Sequence, residues 1–150
     1  MGERIKVGTL TITWLVDGGE SNGTAALFEV EVPPAARVPV PHSHDAYEET
    51  IYGLEGALTW TVEGVRTELA PGDALCIRRG EVHGFVNEGG ETARALCVVT
   101  PAVLTAAFFR EMGEVVATAA AAGGSPPVEQ IGAVMRRHGL TPAAPAVVLN

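Results

Sequence analysis

Turn-forming residues divide most of this chain into short apolar stretches, and no other feature limits the fold as much. Asp17-Gly18-Gly19, Pro33-Pro34, Glu55-Gly56, Glu63-Gly64, Pro71-Gly72, Arg79-Gly80 and Glu88-Gly89-Gly90 each combine residues that bend a backbone or cannot continue a ladder. The stretches between them are too short for packed helices and rich in β-branched residues and threonine. Residues 5–16, 25–32, 37–44, 49–54, 57–62, 65–69, 73–77, 82–87 and 93–100 therefore read as strands. Strands at this spacing, with no helix between them, indicate an antiparallel sandwich or barrel.

The texture changes after Pro101. Leu104, Phe108, Met112 and Val115 recur at helical spacing in AVLTAAFFREMGEVVATAAAA, and Gly123-Gly124-Ser125 stops the run. Pro126-Pro127 then opens a shorter helix with Val128, Ile131 and Val134 or Met135 as its apolar stripe, and Gly139 closes it. Both stripes are expected to pack on the β structure. With 150 residues there is room for one sizeable core. Residues 1–100 are thus expected to form a β domain, and residues 101–150 a helical extension packed on it as part of the same domain.

Charge narrows the partners. The chain carries 18 acidic against 10 basic residues, a formal charge of −8, and its only lysine is Lys6. Phosphate binding relies on clustered Lys and Arg, so neither a nucleic acid nor an anionic membrane surface is an expected partner. No apolar run approaches the roughly 18 residues of a membrane span. The N-terminus lacks a secretory pattern, and Lys6 stands where a myristoylation signal needs Ser or Thr. The two cysteines, Cys76 and Cys97, read as buried reduced thiols, which suits a cytoplasmic protein.

Three of the four histidines fall in the strand region. His42 and His44 share one face of a strand, about 6.6 Å apart along the backbone, so both imidazoles can converge on one ion. Asp45 to Glu48 reads as a loop, and Glu49, opening the returning strand, can bring a carboxylate to the same point. His83 lies on a later strand and can face the pair across a barrel interior. Three imidazoles and a carboxylate suit one divalent first-row ion such as Fe, Mn, Ni, Cu, Co or Zn, with open positions for substrate or dioxygen. Val40, Ile51 and Phe85 have the parity of the ligands and are expected to form an apolar substrate pocket beside them. Tyr47 and Arg78 read as exposed, Asn87 as a turn-fixing residue, and His138 as a cation at a helix C-terminus. No nucleophile elbow, phosphate loop or paired-cysteine motif is present.

Two spaced motifs resemble those of the cupin superfamily. His42-x-His44-x4-Glu49-x6-Gly56 matches the first, and Gly72-x5-Arg78-x-Gly80-x2-His83-x3-Asn87 matches the second, with Arg78 where proline is usual. The resemblance spans residues 37–100, and the tail is similar to that of small bacterial cupins described as quercetin dioxygenase-like. It implies a single-domain antiparallel jelly-roll β-barrel with a metal held by His42, His44, Glu49 and His83. The six-residue gap to Gly56 favours Glu49 over its neighbour Glu48. The resemblance also implies a homodimer joined through edge strands and an oxygenase acting on a small aromatic or enolic substrate, with Glu49 as catalytic base. A metal-dependent isomerase or epimerase of sugars or keto acids, and a non-catalytic ligand-binding module, are the alternatives on the same fold.

Overall fold

A computed structural model describes residues 2–143. The strands run in chain order as β1 (Glu3–Val7), β2 (Leu10–Val16), β3 (Ala26–Val32), β4 (His42–His44), β5 (Glu48–Glu55), β6 (Leu58–Val62), β7 (Val65–Leu69), β8 (Ala74–Ile77), β9 (His83–Val86), β10 (Ala93–Thr100) and β11 (Leu140–Pro142). Between β10 and β11 come α1 (Ala106–Ala121) and α2 (Val128–Arg137).

Six strands form one sheet in the order β1-β2-β3-β10-β5-β8, and five form the other in the order β11-β4-β9-β6-β7. Every paired strand is antiparallel. The architecture is the expected jelly roll, built as two sheets with no hydrogen-bonded ladder joining them among the described residues. Alternation drives the layering. In β3, Ala26, Phe28, Val30 and Val32 point inward while the residues between them are only half buried, which buries one face of the sheet and leaves the other wet.

Two strand boundaries and the burial of one cysteine differ from the sequence reading. Residues 5–16 form two strands, because the backbone reverses at Gly8 with φ of +62°, a conformation that costs glycine little. The expected strand over 37–44 survives only as β4, with a single bridge from Arg37 to Val86 before it. Pro39 and Pro41 have no N–H to give a ladder. Cys76, expected to be buried, is exposed on the edge strand β8, whereas Cys97 is buried as expected.

The helices share the core of the sheets. Phe108, Met112, Ile131, Val134 and Met135 belong to the same buried cluster as Trp14, Phe28, Ile51 and Trp60. Val128 departs from its expected stripe and is 58% exposed at the start of α2. Helix α1 lies so close to β1 that a Cβ on Gly113 would collide with the Lys6 carbonyl. Glu111 of α1 bonds Arg137 and His138 at the end of α2 and so ties the two helices together. The chain then returns as β11 beside β4, Leu140 opposite His44 and Pro142 opposite His42. Among the described residues no helix is long and apolar enough to cross a membrane.

Candidate metal centre

Strand β4 lies between β9 and β11, and this places its two histidines. His42 and His44 point inward on one face while Ser43 turns away, and His42 pairs directly with His83 of β9. The Gly80 amide donates to the His44 carbonyl at 2.9 Å, which fastens the loop before His83 to the ligand strand. The three imidazoles are buried, and one nitrogen from each lies within 4.8 Å of the others. Ring centroids are 5.2 Å apart for His42 and His44, 4.7 Å for His42 and His83, and 4.4 Å for His44 and His83.

Hydrogen bonds orient two of the rings. Nδ1 of His42 lies 2.9 Å from the Val40 carbonyl, and Nδ1 of His83 lies 2.9 Å from the Glu81 carbonyl. A carbonyl only accepts, so each Nδ1 carries the proton and each Nε2 keeps a free lone pair, as a metal-binding histidine requires. His44 has Nε2 3.4 Å from Oε2 of Glu49, and its Nδ1 has no partner within the protein. Burial keeps all three rings neutral. It lowers His42 to about 4, with repulsion from His83 adding to the effect. It lowers His44 to about 2, reinforced by His83 and His42, and His83 moves in the same direction. A neutral imidazole is the form that binds metal.

Glu49 sits beside this triad. Its Oε2 is 3.4 Å from His44 Nε2 and 3.9 Å from His83 Nε2. Burial pushes its carboxyl up to about 7, against an opposing hydrogen bond from the Cys97 thiol. Glu48 points the other way. Its carboxylate accepts from the Arg79 side chain at 2.7 Å and from the Arg79 amide at 2.9 Å, which hold it down to about 2. The two adjacent carboxyls therefore differ by strand parity alone, one solvated and ion-paired, the other facing the imidazoles. Three inward imidazoles, two with fixed tautomers, and a buried carboxylate fit a divalent first-row transition metal.

The cluster lies in a cavity of about 80 Å³ whose lining is otherwise apolar. Phe85 lines it, as its parity suggested, whereas Val40 and Ile51 are buried in the core without lining it. Val40 instead orients His42 through its carbonyl. Tyr47, expected at the surface, is 1% exposed, lines the cavity and stacks on His44 at 4.3 Å. It precedes β5 by one residue and shares the parity of Glu49, a signal hidden by reading 45–48 as a loop. Trp60 and Cys97 also line the cavity, and Phe108, Phe109, Met112 and Met135 close it from the helical side. Asn87, Arg78 and His138 lie where the sequence reading put them. Asn87 donates to the Val32 and Glu91 carbonyls at 2.8 and 2.7 Å and accepts from the Gly89 amide at 2.9 Å. Arg78 is exposed and paired with Glu81, and His138 caps α2 with Nε2 2.6 Å from Glu111.

A family model described as a cupin domain matches residues 28–99. The chain is 29% identical over 113 residues to quercetin 2,3-dioxygenase of Bacillus subtilis (strain 168), covering 75% of this chain and 33% of that protein. It is 31% identical over 75 residues to the tetracenomycin polyketide synthase protein TcmJ of Streptomyces glaucescens, covering 50% of each. The chain thus spans a third of the length of one of these curated relatives and half of the other. Among solved structures, the polyketide cyclase RemF of Streptomyces resistomycificus superposes with a TM-score of 0.57 at 33% identity, covering 66% of this chain and 73% of that one.

Proposed function

The chain belongs to the cupin superfamily, and on that premise we propose that it is a metal-dependent dioxygenase acting on a small enolic molecule. One observation carries the reading: a buried carboxyl, Glu49, is held 3.4 Å from one of three converging imidazoles inside a largely apolar cavity. His42, His44 and His83 would hold the ion, with Glu49 able to join them. A divalent transition metal there supplies Lewis acidity toward a substrate oxygen and, where it is redox-active, activation of dioxygen.

The protein's own residues do the rest. Burial raises the Glu49 carboxyl in the empty cavity and a cation beside it would ionise it, so that its carboxylate can take the proton of an enol hydroxyl and the acid so formed can return one. Phe85 and the aromatic and methionine side chains of α1 and α2 exclude water, which strengthens each polar contact inside. The similarity to a quercetin dioxygenase supports the oxidative version. The similarity to a polyketide cyclase supports a second reading, in which Glu49 moves a proton within a polyketide-like enol and no oxygen is consumed. With either go a small-molecule partner, a cytoplasmic location and homodimeric assembly, in line with the charge balance and exposed sheet edges.

Protein loaded separately with Fe, Mn, Ni, Co, Cu or Zn is mixed anaerobically with β-diketones, α-hydroxy enones and flavonols, and oxygen is then admitted. Oxygen uptake matched to products that together carry both atoms of the dioxygen consumed, traced with oxygen-18, is the expected result. Conversion without uptake establishes the non-oxidative version, and no conversion with any metal refutes both.

A further inference from the structure

Strand β7 leaves a sheet edge open. Of the other three edges, β1 is covered by α1, whose Gly113 lies against the Lys6 carbonyl. β11 has three residues and ends in Pro142, and β8 has four with no charged side chain among them. β7 pairs only with β6 among the described residues, and Val65, Arg66, Thr67 and Glu68 are all exposed. The unpaired N–H and C=O groups of such an edge are a template for another strand, and proteins ordinarily blunt them. Val65 adds an apolar reason for cover. It shares the inward face of β7 with the buried Leu69, yet it is 66% exposed.

Local geometry fixes which backbone groups face outward. Glu63 and Gly64, with φ of 49° and 79°, form a two-residue turn that sets Val62 opposite Val65. The pair closing such a turn exchanges hydrogen bonds, and bonded pairs alternate from there. Val65, Thr67 and Leu69 therefore turn their backbone groups to β6, and Arg66 and Glu68 turn theirs to the open edge. A second β7 related by a twofold axis must bring those outward groups together. Three registers do so: Arg66 opposite its own copy, Glu68 opposite its own copy, or each Arg66 opposite Glu68 of the partner subunit with the axis at Thr67. Like charges directly opposed destabilise a strand pair and unlike charges stabilise it, so only the last is favourable. It also sets Val65 opposite Leu69 of the partner subunit. Arg66 holds Glu88 at 2.7 Å through Nη2, which leaves Nε and Nη1 for the new carboxylate, and Glu68 has no ion pair of its own among the described residues. We infer that β7 is the interface between two copies of this chain, paired antiparallel about Thr67 so that their five-stranded sheets become continuous. The inference rests on the homodimeric reading above and gives it a surface and a register. It does not depend on the metal.

The test is the oligomeric state of the full-length protein, measured by sedimentation equilibrium, with circular dichroism to confirm folding of each variant. One strand pair makes an interface below the standard size, so the wild-type dimer should dissociate with a constant of about 1–100 µM. Glu68→Arg sets Arg against Arg at two places and should weaken the dimer at least about 10-fold. Adding Arg66→Glu restores unlike pairs in reverse and should recover most of that loss. Position 67 gives an independent reading, because its two copies meet at a pair without backbone hydrogen bonds, with Cα atoms about 4.5 Å apart and within disulfide reach. Thr67 is exposed, so Thr67→Cys leaves the core intact. In a Cys76→Ser background it should cross-link on mild oxidation, whereas Val65→Cys, whose copies stand about 14 Å apart, should not. A dimer that Glu68→Arg leaves unchanged, or one that fails to cross-link at position 67, overturns the inference while the homodimeric reading stands. A wild-type protein that stays monomeric at about 1 mM refutes both.

Discussion

Metal loading should release an unusually small number of protons, and the count follows from the buried site. At pH 6 an ordinary imidazole is about 0.8 protonated, so three exposed histidines would release roughly 2.3 protons per ion bound. Here His42 is held at about 4 and His44 at about 2, so each carries ~0.01 proton or less at that pH. His83, lowered as well, contributes less than an ordinary imidazole. Glu49 does the opposite. With its carboxyl near 7, it is ~0.9 protonated at pH 6, ~0.5 at pH 7 and ~0.1 at pH 8, and it must ionise beside a cation. A bound water with pKa near 7 adds only ~0.1 at pH 6. Release at pH 6 should therefore fall between about 1 and 1.8 protons, most of it from Glu49. Calorimetric titration with zinc in two buffers of different ionisation enthalpy gives the number directly. Glu49→Gln should lower it by close to one. A release above two protons, or one that Glu49→Gln leaves unchanged, refutes the account of which groups are neutral in the empty cavity.

The remaining expectations concern the ligands and the frame that holds them. His83→Ala should cut the metal retained after gel filtration by at least ~10-fold, measured by elemental analysis, and unchanged content removes His83 from the site. Asn87→Ala strands the Val32 and Glu91 carbonyls and the Gly89 amide, a cost of about 2–4 kcal/mol that should appear in urea unfolding. Metal-free protein should lose stability on acidification. The folded pKa values of His42 and His44 lie below the unfolded value of 6.5, so their contribution is present above that pH and fades as pH falls. Glu49, with a raised value, has the opposite sign and gains between about 7 and 4.5, but one carboxyl is outweighed by two imidazoles. Urea midpoints at pH 6.5 and 4.5 should differ in favour of pH 6.5, and a flat profile contradicts the neutral triad. Phe108→Ala should cost ~3–5 kcal/mol and enlarge the cavity, with the loss read from the same unfolding curves.

The sequence made the fold legible wherever local chemistry decides it. Gly-containing dipeptides stop strands for reasons internal to the backbone, and β7 and β10 fall where those stops put them. Strand parity was enough to set His42 and His44 on one inner face, while the choice of Glu49 over Glu48 came from the six-residue gap to Gly56. Parity tells the face of a residue but not its height along the sandwich. Ile51 shares the face of Glu49 yet lies a step farther along β5, in packed core rather than at the cavity. Val40 fails differently, because the prolines on either side break the strand that would have carried its parity to His42. Contacts that depend on distant chain return are not encoded locally at all. The pairing of β11 with the ligand strand, and the closure of the cavity by α1 and α2, bring together residues nearly 100 positions apart.

That closure bears on the substrate more than the ligands do. An apolar protein cavity of roughly 150 Å³ accepts benzene, whereas this one measures about 80 Å³. One aromatic ring would need side chains to yield, and a three-ring flavonol would need the helices themselves to move. The wall on that side is Phe108, Phe109, Met112 and Met135, all beyond the residues 28–99 matched by the family. The imidazole and carboxylate chemistry is therefore held in the shared sandwich, and the limit on substrate size is imposed by the tail. Methionines make such a wall adaptable to shape, but Phe108 and Phe109 pack with centroids 5.0 Å apart and Phe109 packs on Phe28 at the same distance, which ties the helix to β3. A small enol needs none of these contacts broken. Size thus selects a small ligand, independently of the metal.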